Sequence, residues 1–334
     1  MGKLAILRKM MFALPLSEAN FDVRGFQVNE LPRKRLESVA KTVVEGYNTA
    51  LETGLSDDLM LNRSIIKTEL VGFYNEGIGM GLYTLDLFSP FNKNRFWNFI
   101  KGEGKNHEYM SYIGAGIACG VFFNRPFENF LEKASPTSGL LILNGFGFYY
   151  AYFKPKKAIN NLYIPKSVQK DPFYIECYDN GIGRALWFYN GGNPDKIHQT
   201  ISLFPENRKA GIWAGVGLAA TYAGGVPPEK ILDLKRLACQ YDYMLGEGSV
   251  LASHTRDIAE NPHEKDTTQQ ILTGKSAKEC NEFAFKANVK LDGRRYINGE
   301  HSLKVFLEEI RAWVKYNLND DNVGKVIKKI VYEK

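Results

Sequence analysis

The sequence predicts an all-α protein of stacked helical hairpins, a tetratricopeptide-like α-solenoid of about six to seven units. Three observations predict it. Six Gly-x-Gly pairs recur along the chain, at Gly77/Gly79, Gly114/Gly116, Gly145/Gly147, Gly181/Gly183, Gly215/Gly217 and Gly246/Gly248. Their first glycines lie 37, 31, 36, 34 and 31 residues apart, the period of helical-hairpin repeats. Each pair also sits in an apolar, aromatic run, as in EGIGMGLYTLDLF, NGFGFYYAYF and AGVGLAATYAGG. At this glycine content about three such triplets arise by chance, so the regular phase carries the argument.

Residues 1–56 form a lead-in and a capping helix. The first 30 residues read as irregular or partly extended, ending near Arg24-Gly25-Phe26. The opening MGKLAILRKMMFALPL is short and broken by Arg8 and Lys9, with no small-residue cleavage site, so it reads as neither a signal peptide nor a span. A loosely surface-bound amphipathic arm is the membrane role left to it. From Leu31 a long amphipathic helix carries Leu36, Val39, Val43 and Tyr47 on one stripe and stops at Gly54.

The repeat array is assigned to residues 57–290, with units at 57–102, 106–134, 138–169, 171–204, 207–239 and 241–272. The fifth unit shows the grammar. Trp213, Val216, Gly217, Ala220 and Thr221 fall at helical spacing, Ala223-Gly224-Gly225 ends the helix, and Pro227-Pro228 restarts the chain into a second helix with Ile231, Leu234 and Ala238 on one stripe. The third unit departs from it: KPKKAINNLYIPKSVQK lacks a second stripe, so the array is expected to divide into two lobes near 155–170. A degenerate seventh unit follows at Asn281–Phe285. Residues 291–334 supply a C-terminal capping helix, HSLKVFLEEIRAWVKYNL, and a Lys-rich, mobile end after Asp320.

Composition narrows the function. The chain is 44% hydrophobic and 13% aromatic, with 21 Phe, 18 Tyr and 4 Trp. Most of these rings fill the core, and a surplus along a groove suits a flat, conjugated or long apolar ligand. The net charge of +6 is scattered, and its densest group, Lys154, Lys156, Lys157 and Lys166, has no stacking aromatics around it, which argues against nucleic acid. Cys119, Cys177, Cys239 and Cys280 lie far apart, as reduced thiols of a cytoplasmic protein do. His107, His198, His254, His263 and His301 lack metal-ligand spacing. The residues before the glycine pairs read as helix rather than strand, so no phosphate-cradling loop is expected. No cofactor or metal follows from this chain, and familiar hydrolase and metalloprotease signatures are missing.

The chemistry-bearing candidates are polar residues embedded in the apolar helices. Asn75 and Glu76 precede the first glycine pair, Asp179 and Asn180 the fourth; Arg184 lies in the fourth motif and Glu247 inside the sixth. Glu76, Asp179, Arg184 and Glu247 are the candidate catalytic set, expected to converge on one groove wall because equivalent positions of stacked hairpins lie side by side. Trp187, Trp213, Tyr222, His254 and Arg256 are the candidate ligand contacts. The other reading of the charged set is a ladder of structural salt bridges between repeats.

The segment YDNGIGRALWFYNGG, followed by FPENRKAGIWAGVGLAATYAGG, resembles an uncharacterised bacterial domain-of-unknown-function family, number 1702, whose members are encoded in enediyne polyketide biosynthesis clusters. The resemblance rests on a D-x-G-x-G-R-x-L-W-F box, met at Asp179, Gly181, Gly183, Arg184, Leu186, Trp187 and Phe188. A second box is met at Arg208, Trp213, Gly215 to Ala220 and Tyr222 to Gly225. Ile212 stands where that family tends to have leucine, and Asn180 where glutamine is frequent. The resemblance implies specialised metabolism of polyketide-type molecules and supplies no reaction. Three functions are therefore expected of the chain: an accessory protein holding a hydrophobic, polyene-like intermediate or its carrier; a metal-free, nucleotide-free enzyme cyclising or rearranging such an intermediate; or a protein-interaction scaffold.

Overall fold

The structure, a computed structural model, describes residues 3–26, 28, 30–89, 93–122, 128–261 and 267–319. Among them are seventeen α-helices: α1 (Lys3–Phe12), α2 (Phe21–Arg24), α3 (Glu30–Thr53), α4 (Asp57–Ser64), α5 (Val71–Phe88), α6 (Arg95–Lys101), α7 (Glu108–Val121), α8 (Glu128–Lys133), α9 (Leu141–Phe153), α10 (Pro172–Tyr189), α11 (Pro194–Ser202), α12 (Glu206–Tyr222), α13 (Pro228–Ala238), α14 (Asp242–Ile258), α15 (Thr267–Thr273), α16 (Ala277–Val289) and α17 (Ser302–Leu318). The strands described are one antiparallel two-residue ladder, β1 (Tyr296–Ile297) with β2 (Glu300–His301). The protein is all-α, and no described helix is long and apolar enough to cross a membrane.

Seven long helices, α3, α5, α7, α9, α10, α12 and α14, pack side by side in chain order. The glycine pairs make this packing. Residues two apart on a helix point about 200° apart, so the two glycines of a pair open opposite faces. A Cβ on Gly77 would sit 2.1 Å from Val43 O on the preceding α3, while one on Gly79 would sit 2.6 Å from Ser111 O on the following α7. The same division holds at Gly145, facing back to Ile113 O, and Gly147, facing on to Tyr178 O, with clash distances of 1.8 and 1.9 Å. Gly181 and Gly215 likewise face back, and Gly183 and Gly217 face on. Glycine costs a helix about 1 kcal/mol against alanine. Here the missing Cβ lets each backbone approach its neighbour's carbonyls, gaining dispersion and C–H···O contact in return.

The sixth pair breaks the register. Gly248, not Gly246, faces back to α12, meeting Ala214 O, whereas Gly246 faces Val314 of α17 and Leu272 O of α15. Counted by the glycine that faces back, the positions are Gly77, Gly114, Gly145, Gly181, Gly215 and Gly248.

Side-chain contacts link the early helices of the row to the late ones. Arg35 Nε donates to Ala223 O at 3.0 Å. The Phe73 and Tyr222 rings meet edge to face at 5.0 Å, and Tyr109 lies 6.1 Å from His254. The row therefore curls until α3, α5 and α7 reach the ends of α12 and α14.

Two sequence expectations need correction. The lead-in is not irregular: α1 and α2 are helical and docked on α3, with Tyr47 Oη donating to Phe12 O at 2.8 Å and Asn48 Nδ2 to Leu14 O at 2.8 Å. Lys9 adds an ion pair to Glu52 at 2.7 Å. Nor does the long connection after α9 divide the array, because α9 and α10 meet through Gly147 and Gly181 as closely as any other neighbours. That connection, residues 154–171, is a short π-turn at Lys156–Asn160 and a loop in place of an outer helix. His263 and the Lys-rich end after Asp320 lie outside the described residues.

Candidate functional site

The residue just before each back-facing glycine points away from both neighbouring helices and into the curl. In two of the six helices it is apolar or small, Ile113 and Ala214, and the other four place a polar group there: Glu76, Asn144, Asn180 and Glu247. These four side chains line two interior cavities. Three residues beyond the glycine, hence nearly in line, come Met80, Ile117, Phe148 and Arg184.

The first cavity holds about 550 Å³ of empty space, counting its open mouth. Val39, Val43, Met80, Phe148, Tyr152 and Phe188 make it apolar, with Leu14 of the lead-in at its edge. Three charged residues line it: Glu76 and Arg184, which are fully buried and paired with each other, and the half-buried Glu18, which is paired with Arg24 at 2.7 Å. Arg184 Nη2 lies 3.2 Å from Glu76 Oε1 across the curl, its Nη1 donates to Asn144 Oδ1 at 2.7 Å, and its guanidinium stacks on Phe148 with 5.1 Å to the ring centroid. Asn144 Nδ2 donates in turn to Asn180 Oδ1 at 2.5 Å. Burial pushes the Glu76 carboxyl up from its ordinary range, and Arg184 opposes the shift.

The second cavity, about 370 Å³, follows the first along α9 and α10. Leu141 and Asn144 line it from α9, with Cys177 and Asn180 from α10, one turn or more from the Phe148 and Arg184 that line the first. The Asn144–Asn180–Arg184 cluster is thus the partition between the two. Leu303 and Leu307 of α17 close the second cavity, and Arg311 of the same helix binds both Glu247 and Glu176. Burial drives the Glu247 carboxyl up to about 7 despite that arginine.

The expected convergence of four charged residues is only partly realised. Glu76 and Arg184 meet. Glu247 faces the interior but sits in the second cavity with Arg311. Asp179 stands two residues before its glycine, so it points toward α12, where Arg208 Nε and Nη2 donate to it at 3.0 and 2.5 Å. Arg208 also donates to Leu162 O at 3.0 Å, tying down the long connection. Burial raises Asp179 to about 6, with Arg208 acting against the shift. Asp179 lines neither interior cavity, and the salt-bridge reading describes it best.

The five candidate ligand contacts also lie away from both interior cavities. Trp187 is fully buried and donates to Gly224 O at 2.9 Å, joining α10 to the end of α12. Trp213 is 2% exposed and flanks an open surface hollow beside His198. Tyr222 lies beneath Arg256, whose guanidinium is 4.1 Å from its ring centroid; Arg256 also donates to Tyr222 O and Asn261 O at 2.5 and 2.8 Å. His254 Nδ1 contacts Asn281 Oδ1 at 3.1 Å, and burial lowers its pKa. These residues fasten helix ends where the curl closes. Asn144, Glu176 and Arg311 were not singled out in the sequence, although Asn144 shares the position of Glu76 and its placement before a glycine was legible.

Fold and site together define an all-α protein whose curled helical row encloses an apolar cavity with one buried ion pair on its wall. The chain belongs to the family described as "Protein of unknown function (DUF1702)", whose model matches residues 3–312. No curated protein and no solved structure matches the chain.

Proposed function

We propose that this protein binds an elongated, hydrophobic small molecule in the first cavity, with one polar group of the ligand turned toward Glu76 and Arg184. The observation that carries the reading is the contrast on that wall: an apolar slot with one fully buried ion pair, Glu76–Arg184, beside which the half-buried Glu18, itself paired with Arg24, is the other charged residue in the lining. Ligand sites have this composition, mostly apolar with a few placed polar groups. The resemblance noted in the sequence makes the ligand a polyene-like intermediate of polyketide-type metabolism, and the protein a cytoplasmic accessory of that pathway. The helical row is then a tetratricopeptide-like solenoid whose concave side has closed over the ligand.

A second reading draws on the raised pKa of Glu76. A carboxyl whose pKa burial has raised takes up a proton more readily and can hand it to an apolar ligand as a general acid, with Arg184 beside it to stabilise the carboxylate left behind, as acid-assisted cyclisation requires. The test for both begins with binding. Titration with cis-parinaric acid, a fluorescent polyene, should give saturable emission at one molecule per chain. Val43→Trp, which fills the slot, and Arg184→Met should abolish it in folded protein. Equal binding by Val43→Trp overturns the assignment of the cavity.

A further inference from the structure

Beyond the Phe73–Tyr222 contact, at the end of the curl away from the apolar cavity, lies a roomier hollow of about 730 Å³, counting its open side. It is bounded by the start of α3, the turn into α5, the end of α12, and α15. Its lining is mixed, and its polar groups come from Arg35, Glu69, Thr221, Thr268 and Gln269.

Three observations bear on its occupant. First, Gln269 is 2% exposed, lines the hollow, and its amide is hydrogen-bonded to no described residue. The amide therefore offers its donors to the hollow, and a ligand able to accept from it gains a hydrogen bond there. Second, among the described residues two guanidiniums meet one carboxylate beside the hollow. Arg35 Nη1, in its lining, donates to Glu69 Oε1 at 2.8 Å, and Arg256, behind it, approaches Glu69 O at 3.5 Å. The Glu69 side chain is 43% exposed. Third, Gly224 and Gly225, at φ +66° and +105°, form no backbone hydrogen bond through their N–H groups. The negative end of α12 does not oppose an anion here, because Arg256 and Arg35 already occupy Tyr222 O and Ala223 O.

We propose that this hollow is an oxyanion site, taking a carboxylate or phosphate group that displaces Glu69 from Arg35 and accepts from the Gln269 amide. Arg35 presents the planar fork suited to such a group, and Thr268 adds a hydroxyl at the rim. The site stands apart from the apolar cavity and does not depend on the function assigned there.

The test uses the full chain at pH 7.5 and constant ionic strength, with inorganic phosphate and acetate titrated calorimetrically in separate arms. Saturable binding in one arm names the source of the oxyanion, and saturation in both marks a site for either. Glu69→Gln, an exposed change, should tighten binding by about tenfold because the competing carboxylate is gone, while Gln269→Leu weakens it at least about tenfold. Three results overturn the site: no saturable binding in either arm, wild-type affinity in Gln269→Leu, or weaker binding in Glu69→Gln. The glutamate variant reads out even if the leucine variant fails to fold.

Discussion

Two buried ion pairs hold α10 in place, and they differ in what surrounds them. Asp179–Arg208 lies in the joint between neighbouring helices: both partners are nearly inaccessible, the carboxylate receives several guanidinium bonds, and the arginine also fastens a loop. Glu76–Arg184 joins helices far apart in the row, is longer at 3.2 Å, and faces an apolar cavity. Packing accounts for the first pair completely, since its charges satisfy each other and nothing else can reach them. The second leaves hydrogen-bonding capacity facing empty space. The residues of the two sequence boxes divide the same way. Asp179, Gly183, Trp187, Arg208 and Gly215 serve the α10–α12 joint, whereas Arg184 and Tyr222 reach across the curl, to Glu76 and Phe73.

The largest effect should come from the joint itself. Gly217→Leu places a side chain where even a Cβ would lie 2.1 Å from Leu245 O, so a loss of more than about 3 kcal/mol or insoluble protein is expected. An unchanged urea midpoint would show that the helices can separate without cost. Next comes Arg208→Met, which strands Asp179 in the joint and should cost about 3 to 5 kcal/mol. Arg184→Met should cost less, about 2 kcal/mol, because burial already raises the Glu76 carboxyl, which makes protonation easier once the arginine is gone, and the group borders a cavity that water can enter. Its ligand binding should nevertheless vanish. If thermal melts of the two arginine variants coincide, the distinction between the pairs fails.

The smallest effect is a pH dependence. The Glu247 carboxyl titrates at about 7 in the fold, above its ordinary value of 4.5, so the folded chain holds this proton more tightly than the unfolded chain. Its contribution is complete below the unfolded value and is lost as pH rises through about 7. Between pH 6 and 8 the wild type should therefore lose about 1 to 2 kcal/mol relative to Glu247→Gln. Parallel stability curves from chemical denaturation would remove Glu247 as a titrating element.

The sequence showed the helices, the glycine phase and the polar residues, and from helical geometry it also held part of the site. Glu76 is one residue before its first glycine and Arg184 three residues after its own, which puts them about 40° apart in phase. Asp179, two before, is turned well away. Phase alone explains why the first two meet and the third does not. Glu247 does face inward, because its helix uses the second glycine of the pair to face back, but it lies in the second cavity beside Arg311 and so does not join Glu76. The contact between Glu76 and Arg184, 108 residues apart, depends on how far the row curls, and small crossing angles summed over many joints are not written in any one segment.

Joints made of bare backbone have a further consequence. A side chain at an interface recognises a particular partner, but a glycine facing a peptide carbonyl meets the same atoms whatever helix supplies them. The order of the units is therefore specified by the connecting chain and the inward-facing residues, not by the surfaces in contact. One hairpin could be exchanged for another at the level of the joint, and the cavity lining would change with it while the row kept its path.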